Sequence, residues 1–192
     1  RQRQMCIRDS MEKTSFSFSV SISNVTTNDK NTVISSSLST LPVIINKAAY
    51  CNLKSGIPSN SQLISNRAGW IINVEEGVEG APNNLIDGKT GTDVALNNKG
   101  FWFTVDLGEA KVLTGIKTNH WANAYAPREV EILQSENGTT WKSLSSLAIS
   151  GGTQNITFIS PITTRYLKYQ IITISTNGRT DVTEFNVYEP KS

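Results

Sequence analysis

This 192-residue chain has little of what would commit it to a chemistry. It carries one histidine and two cysteines, too few for a zinc site of the usual ligand spacing. It has no Gly-x-Ser-x-Gly nucleophile elbow and no phosphate-binding loop. No stretch reaches the ~18 consecutive apolar residues of a membrane-spanning helix. Charge bias is missing as well. Residues 1–10 fit nothing that follows and read as a non-native translation artefact. Setting aside Arg1, Arg3, Arg8 and Asp9 brings the 18 basic and 16 acidic residues to 15 and 15. The overall pI of 8.6 is therefore no argument for a nucleic-acid partner. The same exclusion removes Cys6 and leaves Cys51 alone, unable to form an internal disulfide. No apolar secretion core is visible after Met11, because the segment from Ser15 to Ile22 alternates instead of running apolar.

What is present is a series of short runs rich in Val, Ile, Phe, Tyr and Trp, punctuated by Gly, Ser, Thr and Asn. That pattern is all-β. Phe16, Phe18, Val20 and Ile22 fall on one face of a period-two strand, and Val33–Ile34 and Leu41–Ile45 add strand-like pieces. Two or three strands do not bury a core. Residues 11–55 are therefore expected to be the tail of an upstream β-sandwich, covalently linked and largely missing, or else a linker. The polar stretch Ser55–Ser61 marks a boundary. Beyond it, strands are expected at Trp70–Glu75, Phe101–Leu107, Val112–Asn119, Glu129–Gln134, Thr140–Leu147, Thr153–Ile159, Arg165–Ile174 and Val182–Tyr188. Turn signals such as Glu136-Asn137-Gly138 and Asn177-Gly178 separate them. Eight short strands with no amphipathic helix imply a jelly-roll β-sandwich over residues 60–189.

Two stretches stand out for function. Asn84-Leu85-Ile86-Asp87-Gly88-Lys89-Thr90-Gly91-Thr92 sets a carboxylate on a tight turn with a hydroxyl five residues on, and Thr183-Glu184 supplies a second carboxylate on the last strand. These groups make poor acid–base machinery but suit a hard cation held by oxygen. Asn119-His120-Trp121-Ala122-Asn123-Ala124-Tyr125-Ala126-Pro127-Arg128, between two strands, gathers the only histidine with two aromatics. Aromatic faces pack on the apolar patches of a pyranose while imidazole, amide and guanidinium groups bond its hydroxyls.

In order and spacing these signatures resemble the discoidin, or coagulation factor 5/8 type C, domain, which is similar to the family 32 carbohydrate-binding modules and is galactose-binding-like in fold. The lack of a disulfide pair fits a bacterial version. The resemblance implies a structural calcium ion with side-chain ligands Asp87, Thr92 and Glu184 and main-chain oxygens near Asn84, Lys89 and Thr183. Lys89 departs from the family pattern, where Asn or Asp is frequent, and offers only its carbonyl. The bland alternative is a simple turn and a surface glutamate. The resemblance also implies a sugar site on the loops at one end of the sandwich: His120, Trp121, Asn123, Tyr125 and Arg128, with Asn177 and Arg179 on the Ser175–Thr180 loop. The arginine that galactose-binding members carry on a later loop is missing from Ser150–Asn155, so Arg128 or Arg179 would have to replace it. For His120 the alternative is an ordinary hydrogen-bonded histidine, and for Trp121 a place in the core. Trp70, Phe101, Phe103, Trp141, Tyr166 and Tyr169 are expected to pack. Glu129 and Glu131 alternate with Val130 and Ile132 on a solvated strand face and form no catalytic pair.

The expected function is that of a non-catalytic carbohydrate-binding module of an extracellular or cell-surface bacterial glycan-utilisation protein. Its partner would be a glycan or polysaccharide, with galactose-type sugars favoured through His120. An adhesion module for protein or phospholipid, or the accessory domain of a glycoside hydrolase fragment, are the alternatives.

Overall fold

The structure, a computed structural model, describes residues 52–191 and, upstream of them, the backbone of two strands. These are β1 (Ser15–Ser21) and β2 (Thr40–Asn46), which pair antiparallel with Ser15 opposite Asn46 and Ser21 opposite Thr40. Strands were expected at both places. The facing of their side chains, Val33–Ile34, Cys6, Cys51 and residues 1–10 lie outside the described residues. The chain divides into two compact units between Tyr50 and Cys51. Residues 52–55, expected in the upstream tail, and Ser55–Ser61, expected as a boundary, fall in the downstream unit.

That unit is a β-sandwich. Its strands are β3 (Leu53–Ser55), β4 (Ser61–Leu63), β5 (Ile71–Val74), β6 (Val94–Asn97), β7 (Trp102–Asn119), β8 (Glu129–Ser135), β9 (Lys142–Ala148), β10 (Thr153–Thr173), β11 (Arg179–Val182) and β12 (Glu184–Pro190). One 3₁₀ turn, Pro82–Leu85, precedes the Asp-Gly turn, and the described residues contain no α-helix. Two pairs of expected strands are single long ones. Phe101–Leu107 and Val112–Asn119 join as β7, and Thr153–Ile159 and Arg165–Ile174 join as β10. The expected last strand is instead two, β11 and β12, divided at Thr183.

The long strands create the two layers. The first half of β7 lies between β5 and the second half of β10, which continues to β8 and β9. The second half of β7 lies between β12 and the first half of β10, with β4 beyond β12 and β3 beyond β10. Register shifts in β10 between Thr157 and Ile162, and between Thr164 and Tyr166, mark where it passes from one layer to the other. β6 and β11 form a separate pair.

Period-two alternation fills the space between the layers. Phe103, Val105 and Leu107 of β7, Leu167, Tyr169 and Ile171 of β10, and Phe185 and Val187 of β12 are all buried. Phe103 stacks on Tyr169 at 5.1 Å between ring centroids and meets Phe185 edge-on at 5.2 Å, both favoured aromatic geometries. Phe101 and Trp70 also belong to this core, as expected. Val130 and Ile132 point inward, so Glu129 and Glu131 occupy the outer face.

Candidate functional site

The loop from Asn119 to Arg128 leaves β7 and enters β8, and its backbone is tied on every side. The His120 N–H donates to the Gly152 carbonyl at 2.8 Å, and the Asn177 N–H to the Ala124 carbonyl at 3.2 Å. The Asp181 N–H bonds the Tyr125 carbonyl at 3.2 Å, and the Arg128 N–H bonds the Thr173 carbonyl at 2.9 Å. Asn123 Oδ1 accepts the Gly152 N–H at 2.5 Å. A Cβ on Gly152 would sit 3.3 Å from that oxygen, so a side chain there would crowd the contact. Three loops, 119–128, 150–153 and 175–181, thus converge at one end of the sandwich. They bring His120, Trp121, Asn123, Tyr125 and Asn177 together, as expected.

His120 departs from the expectation. The His120 side chain is 0% exposed. Its Nδ1 lies 2.5 Å from the Asp181 carbonyl, which can only accept, so the ring hydrogen is on Nδ1. The Thr118 hydroxyl stands 3.1 Å from Nε2 and can donate to it, and the Gln154 side-chain amide packs against the same nitrogen. With both nitrogens engaged inside the protein, His120 cannot meet a sugar at the surface, and the ordinary hydrogen-bonded histidine is the correct reading. It props the loop. Trp121 is the reverse: its indole is 61% exposed, not core, while its backbone N–H donates to Asp181 Oδ1 at 3.3 Å. Asn123 and Asn177 are also exposed, and Tyr125 is half-buried.

Of the two arginines, Arg179 is committed to other partners. Arg179 turns toward the β6 side, where its Nη2 lies 3.2 Å from Asp93 and 3.4 Å from Glu79. Burial raises the Asp93 carboxyl above the usual range, and Arg179 partly offsets it. Arg179 is therefore held as a counter-ion to these two carboxylates. Arg128 is exposed at the loop's exit beside Thr173.

The Asp-Gly turn meets the start of β12, where Glu184 pairs with Asn119. Gly88 takes φ +78°, the left-handed region that suits glycine. Asp87 Oδ1 accepts the Lys89 N–H at 2.8 Å, and Thr92 donates its hydroxyl to Asp87 Oδ2 at 2.8 Å, with the Lys89 carbonyl 3.4 Å away. Glu184, buried on β12, accepts the Gly88 N–H on Oε1. Carboxylate, hydroxyl and carbonyl oxygens thus converge on the turn, with Glu184 at its base. Among the described residues, no three or more His, Cys, Asp or Glu side chains are grouped so as to hold a metal ion. A cation here would therefore rely on hydroxyl and carbonyl oxygens, a donor set that fits calcium. Asn84 commits its amide nitrogen to the Asp93 carbonyl at 2.8 Å. Thr183 is buried with its hydroxyl unpartnered, and its N–H bonds the Asn119 carbonyl at 2.8 Å. Both residues keep their carbonyl oxygens as possible ligands.

A profile of the F5/8 type C domain matches residues 65–185, more than half of the chain. The chain belongs to the F5/8 type C domain family. No curated protein matches it. Among solved structures, this F5/8 type C domain is similar to one from Bacteroides fragilis, at 19% identity and TM-score 0.59, covering 70% of this chain and 100% of that one. It is also similar to the family 32 carbohydrate-binding module of Clostridium perfringens NanJ in complex with galactose, at 22% identity and TM-score 0.52, covering 71% and 99%. A third is a Clostridium perfringens family 32 module in complex with GalNAc-β-1,3-galactose, at 18% identity and TM-score 0.52, covering 70% and 99%. These likenesses establish the fold.

Two features of this F5/8 type C domain escaped the sequence. One is the support behind the loop, the buried polar residues Thr118, Gln154 and Asp181. The other is Arg67, whose Nη1 donates to Glu184 Oε2 at 2.9 Å. Nothing local marks Gln154, Asp181 or Arg67, because their partners are 34 to 117 residues away.

Proposed function

We propose that this F5/8 type C domain is a non-catalytic carbohydrate-binding module, part of a secreted or surface-attached bacterial glycan-utilisation protein. The observation that carries the reading is Trp121. A tryptophan left mostly in water on a loop whose every flank is hydrogen-bonded offers a fixed apolar plate. Asn123, Tyr125 and Asn177 stand beside it with groups for sugar hydroxyls. The loop is rigid before a ligand arrives, which lowers the ordering cost of a shallow contact. The sugar complexes of the Clostridium perfringens modules support the same ligand class. Galactose-type sugars are the first to test on their account, since the buried His120 no longer argues for them.

Calcium belongs to the same proposal, as a structural ion on Asp87, Thr92 and Glu184 with carbonyl oxygens of Asn84, Lys89 and Thr183. Bound there it would fix the turn to the last strand and supply no chemistry. Glu129 and Glu131 lie on an outer strand face, so the isolated chain is expected to release no reducing sugar from a glycan it binds.

A glycan array with the wild type and Trp121→Ala tests the reading. Wild-type binding of ~10 μM to ~1 mM corresponds to about 4 to 7 kcal/mol. Losing the stacking plate should abolish the signal while the melt stays put. Binding to phospholipid vesicles or to protein, with an empty array, would replace this reading with the adhesion module.

A further inference from the structure

We propose that Arg67 is a built-in counter-cation of the Asp87–Glu184 clasp, which closes the clasp without metal and weakens its affinity for calcium. The inference rests on the calcium reading above and concerns a residue outside its ligand set. Arg67 donates from Nη1 to Glu184 Oε2 at 2.9 Å, with longer contacts to the Phe185 carbonyl at 3.5 Å and Asn186 Oδ1 at 3.4 Å. Its Nη2 faces Gly88, standing 3.9 Å from where a Cβ on that glycine would be. The guanidinium thus bonds the last strand and faces the Asp-Gly turn. The pair is shielded from water, with side chains 20% and 6% exposed for Arg67 and Glu184.

The surroundings of Glu184 explain why the arginine matters. Oε1 accepts the Gly88 N–H, and Oε2 accepts from Arg67 and, at 3.4 Å, from Asn186 Nδ2. Each of these hydrogen-bond partners is a donor. A calcium ion using Glu184 would have to share its oxygens with them and stand close to the Arg67 guanidinium. The two carboxylates would offer a divalent ion two negative charges, and Arg67 cancels one at hydrogen-bonding distance. A like charge this close, with little water between, raises the cost of the second cation steeply. Without calcium, the same guanidinium spares Glu184 the cost of being a buried, unpaired charge.

The experiment measures thermal melts of the full chain and of Arg67→Gln and Arg67→Lys, each in calcium chloride and in excess chelator, with calcium affinity from terbium luminescence competition. Arg67→Gln should melt well below wild type in chelator, recover in calcium, and bind calcium at least about tenfold more tightly. Arg67→Lys keeps the charge and should stay close to wild type in affinity. Calcium binding by Arg67→Gln with none by wild type also supports the proposal, and limits the calcium reading to the variant. Equal losses of Arg67→Gln in calcium and in chelator, with unchanged affinity, overturn the proposal and leave the calcium reading standing. Failure of all three proteins to respond to calcium overturns both. An Arg67→Gln chain that stays unfolded in millimolar calcium overturns the proposal too, since calcium was to take over the pairing of Glu184.

Discussion

Asp181 and Glu184 are three residues apart, both buried and both carboxylates, yet they are satisfied in opposite ways. Asp181 takes a backbone N–H from Trp121, and its carboxylate stands 3.6 Å from the ring of His120. Glu184 takes a guanidinium. The first arrangement is a network of short, directional contacts among residues with no freedom to leave, so it stiffens the loop that carries Trp121. The second is an ion pair at the rim of an oxygen-rich turn, where another cation can compete. Burial alone thus does not tell support from site. What matters is whether the partner can be exchanged.

The comparison can be broken at several points, and Glu184→Ala should do most damage. Removing one member of a shielded ion pair leaves Arg67 uncompensated and should cost about 3–5 kcal/mol, read by denaturant unfolding in chelator. His120→Ala comes next, at about 2–4 kcal/mol, because it opens a cavity and strands the groups that faced both ring nitrogens. It should also weaken glycan binding, but only by loosening the loop. Equal binding with a lower melt would separate support from recognition completely. Calcium at ~100 times its dissociation constant should add about 2.7 kcal/mol, seen as an upward shift of the melt. Asp87→Ala should make the calcium and chelator curves coincide.

A control pair sharpens the contrast with a partner already fixed. Arg165 grips Asp106 with both ends of its fork, at 2.8 and 2.9 Å, and these hydrogen bonds hold the Asp106 carboxyl below the usual range against some opposing burial. Because the folded value is depressed, the contribution is full above the unfolded aspartate pKa of ~3.9. It is lost as pH falls through the folded value. Asp106→Asn should therefore be less stable than wild type at pH 7, by about 0.5–1 kcal/mol for a pair this open to solvent. The gap should close in acid, as pH titration of the melts will show. The smallest effect on stability belongs to Trp121→Ala, within about 0.5 kcal/mol of wild type, although it should have the largest effect on binding.

The sequence made the sandwich readable because its apolar residues alternate over runs of five or more, as in Phe101–Leu107. β3, β4 and β6 went unseen, being three or four residues long with no room for a period to show. The merging of strands into β7 and β10 was equally hidden. Gly108, with φ +81°, reads as a turn, yet the strand runs on through it because β10 bends beside it. For the loop, the residues named from the sequence lie together, but His120, expected at the surface, is sealed inside. His120 and Trp121 are adjacent, and nothing in their order says which is sealed by Asp181 and Gln154 from other parts of the chain. Arg67 was invisible for the same reason, its partner being 117 residues away.

The pairing of β4 with β12, where Leu63 lies opposite Tyr188, has a consequence for the nascent chain. At about 5–20 residues per second, β4 leaves the ribosome roughly 6–25 seconds before the strand that completes it. β3 waits similarly for β10. Segments held open that long are exposed to neighbouring polysomes and chaperones, and an apolar edge among them would invite wrong pairing. These two are the shortest strands in the unit, three residues each, reading Leu-Lys-Ser and Ser-Gln-Leu. The longest strand, β10, emerges after both β7 and β8 and finds its partners already made.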